Sequence, residues 1–229
     1  MTKKILSSKW TKAVLFLLCL IPAVRIAAPI AVALMVLPER AVAIPQGFWL
    51  DLTPNPVEFI THFTGDWTIR FVLITLTVTP LRMLINQPQL TRFRRMLGLY
   101  AFFYGMLHLT TWMWLSSGWD PHAMWADIIK RWYITVGMAG LLCMVPLAIT
   151  STAGWVRRLG YKKWQTLHRL VYLTAAAGVI HYYLLVKSDI RLPVMYGVIL
   201  AILMLFRLKT WLKKPTKPAP KRVPASSPL

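Results

Sequence analysis

Residues 167–186 read LHRLVYLTAAAGVIHYYLLV. The run is apolar and long enough to cross the ~30 Å hydrocarbon core of a bilayer, which takes about 20 helical residues. It nevertheless carries His168 and His181. An imidazole in hydrocarbon is costly unless its nitrogens find partners. An iron porphyrin takes one of those nitrogens as an axial ligand and buries a flat apolar body of its own. A third histidine, His108, lies inside another apolar run. The stretch thus raises two questions together: whether the chain is a helical membrane bundle, and whether that bundle is built to hold haem.

The rest of the sequence answers the first. Of 229 residues, 57% are hydrophobic and only 15% are charged, against roughly 25% charged in a soluble domain. Apolar runs of spanning length recur at 13–37, 67–85, 97–115, 134–150, 167–186 and 192–212. The fourth and sixth are marginal, and the sixth reaches full length only with Arg207 and Lys209 snorkelling toward the headgroups. The expected fold class is all-α: a polytopic membrane bundle of six transmembrane helices in residues 1–212. Residues 213–229, rich in Lys and Pro, are expected to be a disordered basic tail. The net charge of +20 does not point to nucleic acid, because the basic residues cluster in alternate connections. Lys3, Lys4, Lys9 and Lys12 precede the first span, Arg82 to Arg95 join the second to the third, Arg157 to Arg169 join the fourth to the fifth, and the tail is basic again. All seven acids fall at the opposite ends. By the positive-inside rule both termini are cytoplasmic.

Ala41-Val42-Ala43 resembles a signal-peptidase site, but the preceding apolar run far exceeds a signal h-region of about 7 to 15 residues, so it reads as a retained span. Cys19 and Cys143 sit inside spans with no C-x-x-C-H around them, which excludes covalent haem attachment and offers no disulfide. The outer connections 38–66 and 116–133 carry acids and tryptophans. They read either as a docking face for an external partner or as an interfacial aromatic belt.

Depth separates the histidines. At 1.5 Å per residue His181 lies ~9 Å inside the outer boundary marked by Lys187, and His108 ~12 Å inside that marked by Ser116. Sharing a level, they can ligate one six-coordinate iron suited to electron transfer. The alternative is a pair of interhelical hydrogen-bonding histidines. Gly98, Ala101, Gly105, Ala177 and Gly178 offer small neighbours for a macrocycle. Each ring is expected to donate its other nitrogen to the carbonyl four residues earlier, Tyr104 and Ala177. His168 lies ~8 Å from the inner surface and ~20 Å from His181 along the axis, on a different side of an ideal helix. No histidine matches its level. Arg94 and Arg95 do, and they read as partners for haem propionates or a flavin phosphate, or as a positive-inside anchor. His62, beside Thr64, Gly65 and Asp66, is a weaker candidate at the outer edge, and His122 reads as a solvated loop residue. Arg25 either meets a propionate or snorkels.

Five segments, in order, carry a family resemblance: His62-Phe-Thr-Gly65, Thr79-Pro-Leu-Arg82, Arg94-Arg-Met-Leu-Gly-Leu-Tyr100 with His108, Trp164-Gln-Thr-Leu-His168, and His181-Tyr182. Together they resemble the MsrQ (YedZ) family, the haem-binding membrane subunits of bacterial protein-methionine-sulfoxide reductase systems, within the ferric-reductase-like transmembrane superfamily. The resemblance covers about residues 55–210. It implies a multi-pass protein of the bacterial inner membrane that binds b-type haem, one or two, and FMN. Electrons would come from the quinone pool or a cytosolic flavin reductase and pass to a periplasmic molybdenum-containing catalytic subunit that reduces methionine sulfoxide in proteins. The family's haem-ligand histidines fall by position on His108, His168 and His181, with Arg94 or Arg95 where the superfamily places a fourth histidine.

The leading expectation is therefore an electron conduit with no substrate chemistry of its own, since no nucleotide-binding module accompanies the spans. The alternatives are a stand-alone ferric or quinone reductase, and a non-redox transporter or haem-handling protein.

Overall fold

A computed structural model of the chain describes residues 6–33 and 56–212, and every regular element among them is helical. The elements are α1 (Lys9–Ala33), α2 (Pro56–Leu84), α3 (Thr91–Thr111), α4 (Pro121–Lys130), α5 (Trp132–Ile149), α6 (Ala153–Leu159), α7 (Tyr161–Leu167), α8 (Leu170–Leu185) and α9 (Arg191–Leu212). The expected basic tail, the tripeptide 41–43, and Trp49 and Asp51 of the long outer connection lie outside the described residues.

Among the described residues, four segments are long and apolar enough to cross a membrane: Lys9–Ala27, Val57–Leu84, Trp132–Ile149 and Arg191–Leu212. The fourth and sixth runs, marginal by sequence, qualify. The third and fifth do not qualify by this measure. α3 opens on Arg92, Arg94 and Arg95, and α8 is only 16 residues long. Both are nevertheless central to the packing. The most extensive helix pair is α2 with α3, followed by α8 with α5; α9 lies on α8 and α2, and α1 on α3. Many apolar side chains on the perimeter are exposed, among them Leu17, Leu142, Ile202 and Leu205, as expected where lipid replaces water.

Three boundaries depart from the sequence expectation. The second helix begins at Pro56, not near Trp67, so Glu58, His62 and Asp66 lie on a helix rather than in a connection. Its polar turn is held internally by the Arg70–Asp66 ion pair at 3.2 Å. The third helix passes at Trp112 into a π-helical turn ending at Ser116, and the connection after it contains α4. The fifth span is not one helix. α7 ends at Leu167, His168 and Arg169 form a turn, and α8 starts at Leu170.

A proline inside a helix leaves the carbonyl four residues earlier without its intrahelical N–H, and at Pro80 a neighbouring helix supplies a substitute. At Pro80, the freed Leu76 carbonyl accepts from Arg207 of α9 at 2.9 Å. Next to Pro22, the Tyr104 hydroxyl of α3 accepts from the Ala23 N–H at 3.0 Å and donates to the Cys19 carbonyl at 2.8 Å. A side chain is thus inserted into the α1 ladder, pinning that helix to the core. Cys19 and Cys143 are both free thiols.

Candidate functional site

The four central helices enclose a cavity of about 460 Å³. His108 projects into it from α3 and His181 from α8, with ring centroids 6.0 Å apart and planes at 78°. Each ring is fixed by its Nδ1. His108 Nδ1 donates to the Thr61 carbonyl at 2.9 Å and His181 Nδ1 to the Tyr133 carbonyl at 2.6 Å. A carbonyl only accepts, so both rings carry the proton on Nδ1 and leave the Nε2 lone pair free. The expected acceptors, Tyr104 and Ala177, are not the ones used. The carbonyls come from α2 and α5 because those helices pass close enough at glycine positions. A Cβ on Gly137 would lie 2.6 Å from His181 Nδ1, and one on Gly65 would lie 3.0 Å from His108 Cε1. The close approach therefore depends on Gly65 and Gly137, which stand on the opposing helices. Of the small residues singled out by sequence, Gly105 and Gly178 line this cavity, while Gly98 and Ala101 line another.

The pair of rings suits one ligand class. With a nitrogen–metal bond of about 2.0–2.1 Å, two imidazoles on opposite sides of one ion have ring centres roughly 6 Å apart, the separation found here. No group of three or more His, Cys, Asp or Glu side chains converges among the described residues. A bare ion is therefore under-ligated, whereas a porphyrin supplies its own four nitrogens. The walls are otherwise mostly apolar, with Ile69, Val72, Leu141 and Met144 on them. At the outer rim stand His62, Asp66, Asp127 and Arg131. Arg131 pairs with Asp127 at 3.1 Å and donates to the Tyr133 hydroxyl, which with Asp127 holds its guanidinium above the usual arginine range.

A second cavity, of about 910 Å³, opens toward the basic end of the bundle. His168, Arg94 and Arg95 line it, so the structure separates His168 from the other two histidines. The two cavities share Val72, Met144 and Thr174 as a common wall. His168 Nδ1 donates to the Trp164 carbonyl at 3.1 Å, the four-residue pattern expected of the other two rings, and its Nε2 is buried without a partner. Trp164 covers the ring at a centroid distance of 4.0 Å and is itself tied to the Thr150 carbonyl at the end of α5 through Nε1. Arg25 lies over the Phe63 ring at 5.6 Å. His122, exposed on α4, lines neither cavity.

Residues 64–179, half of the chain and most of the lining of both cavities, match the family described as ferric reductase like transmembrane component. The protein-methionine-sulfoxide reductase heme-binding subunit MsrQ of Herminiimonas arsenicoxydans is 51% identical over 160 residues, 69% of this chain and 73% of that protein. The subunits of the same name from Caulobacter vibrioides and Azospira oryzae are 43% and 46% identical, covering 76% and 86% of this chain and 83% and 78% of their own lengths. The chain belongs to the MsrQ family. Within an MsrQ chain, two features of these cavities escaped the sequence reading. Gly137 sits in an apolar run with nothing to mark it. Arg207 reads as a snorkelling residue at the end of a span, yet it is only 7% exposed and lines the inner cavity.

Proposed function

We propose that this protein is the haem-binding electron-transfer subunit of a methionine sulfoxide reductase system of the bacterial inner membrane. In this reading His108 and His181 would hold a b-type haem in the outer cavity. The observation that carries it is the pair of Nε2 lone pairs left free on two rings 6.0 Å apart. Bound there, haem would supply a one-electron carrier. The protein contributes position and polarity. The Thr61 and Tyr133 carbonyls set each ring's tautomer and make it a stronger donor. The glycines at 65 and 137 let the rings sit against neighbouring backbone, and apolar walls exclude water.

The inner cavity, with His168, Arg94 and Arg95, takes a second redox group, a haem held by a single histidine or FMN. The chain crosses the membrane six times, with α3 and α8 as the third and fifth spans and both termini in the cytoplasm. Retained basic residues at one end and acids at the other support this orientation. Electrons enter from a quinol or a cytosolic flavin reductase and leave at the outer face, where a separate periplasmic molybdenum-containing subunit reduces oxidised methionine. His62, at the outer rim, adjoins the exit. In this reading catalysis belongs to that partner, and this chain holds the carriers that feed it. Haem-to-protein stoichiometry and optical spectra of the purified protein test the assignment. His108→Ala and His181→Ala should each abolish the outer, low-spin signal while His168→Ala leaves it. Loss of all haem from His168→Ala alone, or an unchanged spectrum in the other two, overturns it.

A further inference from the structure

Arg207 is a buried guanidinium with no anion to answer it. It sits on α9 behind the inner cavity, 93% buried. Two of its nitrogens are occupied by neutral partners: Nη1 donates to the Tyr172 hydroxyl at 2.6 Å, and Nη2 to the Leu76 carbonyl that Pro80 has left open. Its Nε is buried and has no partner. Among the described residues, no carboxylate lies within ion-pair distance of it. A cation so placed is costly unless a counter-charge arrives from elsewhere. The same cavity is lined by His168, whose Nε2 is likewise buried without a partner. Arg82, Arg94, Arg157 and Arg169 also line it, and no Asp or Glu does. Its remaining walls include the flat rings of Trp164, Phe102 and Trp211. The volume, about 910 Å³, is that of a site for an organic ligand rather than a small ion.

We propose that the inner cavity seats the anionic tail of a planar redox ligand, with a phosphate or carboxylate on Arg207 Nε and the ring system toward His168. Arg207 is thus a ligand-binding residue, and Tyr172 and the Pro80 break are the devices that hold it. Leu76 and Tyr172 fix the two outer nitrogens of the guanidinium and so hold it in one orientation in the cavity wall. Arg94, partly buried in the same wall, adds charge, and the more exposed Arg95 stands farther toward solvent. The inference rests on the reading above only in that a redox group enters this cavity. Flavin phosphate and haem propionate share the chemistry described, and they are separated by experiment.

The test uses the full-length protein in detergent, with the spectrum of the outer haem as the reporter of correct folding. Binding of FMN and of riboflavin is followed by flavin fluorescence, and haem is counted against protein. Arg207→Gln should weaken the tail-bearing ligand by about tenfold or more, the scale of a lost charge-assisted hydrogen bond. Tyr172→Phe should weaken it less. If the ligand is a flavin, FMN affinity falls and riboflavin affinity does not. If it is haem, the haem count falls to that of the outer site and FMN is indifferent. Arg207→Lys keeps a buried cation without the Nε–H and carries the same readouts should the glutamine variant lose the outer signal. Haem count and FMN-over-riboflavin preference both unchanged in folded variants overturn the proposal. Loss of haem signal in Arg207→Gln together with an unaltered spectrum in His108→Ala and His181→Ala would leave this inference standing and defeat the outer-site assignment instead.

Discussion

A single hydrogen atom at two positions decides whether the outer histidines can face each other. An added methyl at Gly137 would overlap His181 Nδ1 at 2.6 Å, and the neighbour it meets is a ring already fastened to the Tyr133 carbonyl, so the ring cannot simply turn away. Overpacking of this kind costs about 1–3 kcal/mol, equivalent to roughly fivefold to a hundredfold in the affinity of whatever the ring ligates. Gly137→Ala should therefore lower the outer haem content of purified protein, measured by its optical spectrum. Gly98→Ala, whose Cβ would meet only Thr75 at 3.7 Å, should leave that content unchanged. Equal haem in both variants would show that the ring has room the geometry denies it. The histidines were legible in sequence because a polar ring in an apolar run announces itself. Their carbonyl partners were not, because sequence spacing gives acceptors only within a helix, while Thr61 and Tyr133 arrive through packing of α2 and α5.

Among the elements, α1 is attached to the core by hydroxyls more than by interlocking bulk. Tyr104, fully buried, bridges Ala23 and Cys19 beside Pro22, and Tyr100 donates to the Phe16 carbonyl at 2.9 Å one turn away. Replacing Tyr104 by Phe retains the ring stacked on Phe71 at 5.2 Å and removes only the hydroxyl. The Ala23 N–H and Cys19 carbonyl then lose their partner in a water-poor environment, a cost of about 1–3 kcal/mol. Tyr104→Phe should lower the thermal midpoint of the solubilised protein by several degrees without altering the haem spectrum. A midpoint equal to the parent's would mean the α1 ladder closes unaided. Helix positions were read well from hydropathy where spans are purely apolar. The start of α2 was missed because Glu58, His62 and Asp66 look like loop residues, although Asp66 is paired with Arg70 four residues on. The turn at His168 was likewise hidden inside an unbroken apolar run, and it lets His168 face a different cavity from His181.

Across the whole molecule, charge and cavities are arranged along one axis. The inner cavity is lined by six arginines and no acid, and the outer rim by Asp66, Asp127 and a paired Arg131, with Val72, Met144 and Thr174 between the two spaces. The polarity of the bundle was legible in the alternation of basic and acidic connections. That the two levels meet at a shared wall was not, since it depends on how α2, α5 and α8 pack against one another. The arrangement gives His168 a distinct role under the conduit reading: it serves entry, and His108 and His181 serve exit. In the proposed orientation the basic end faces the medium in inverted membrane vesicles, so a membrane-impermeant one-electron reductant should reach the inner cavity first. The outer haem of the parent protein should then be reduced promptly. His168→Ala should retain that haem, since neither of its ligands nor its glycine cradle is touched, yet fill it with electrons at least an order of magnitude more slowly. The decisive comparison is the same variant solubilised in detergent, where reductant reaches both ends and the outer haem should be reduced as fast as in the parent. If reduction in vesicles is equally fast with and without His168, electrons bypass the inner cavity, and the two-level conduit is wrong.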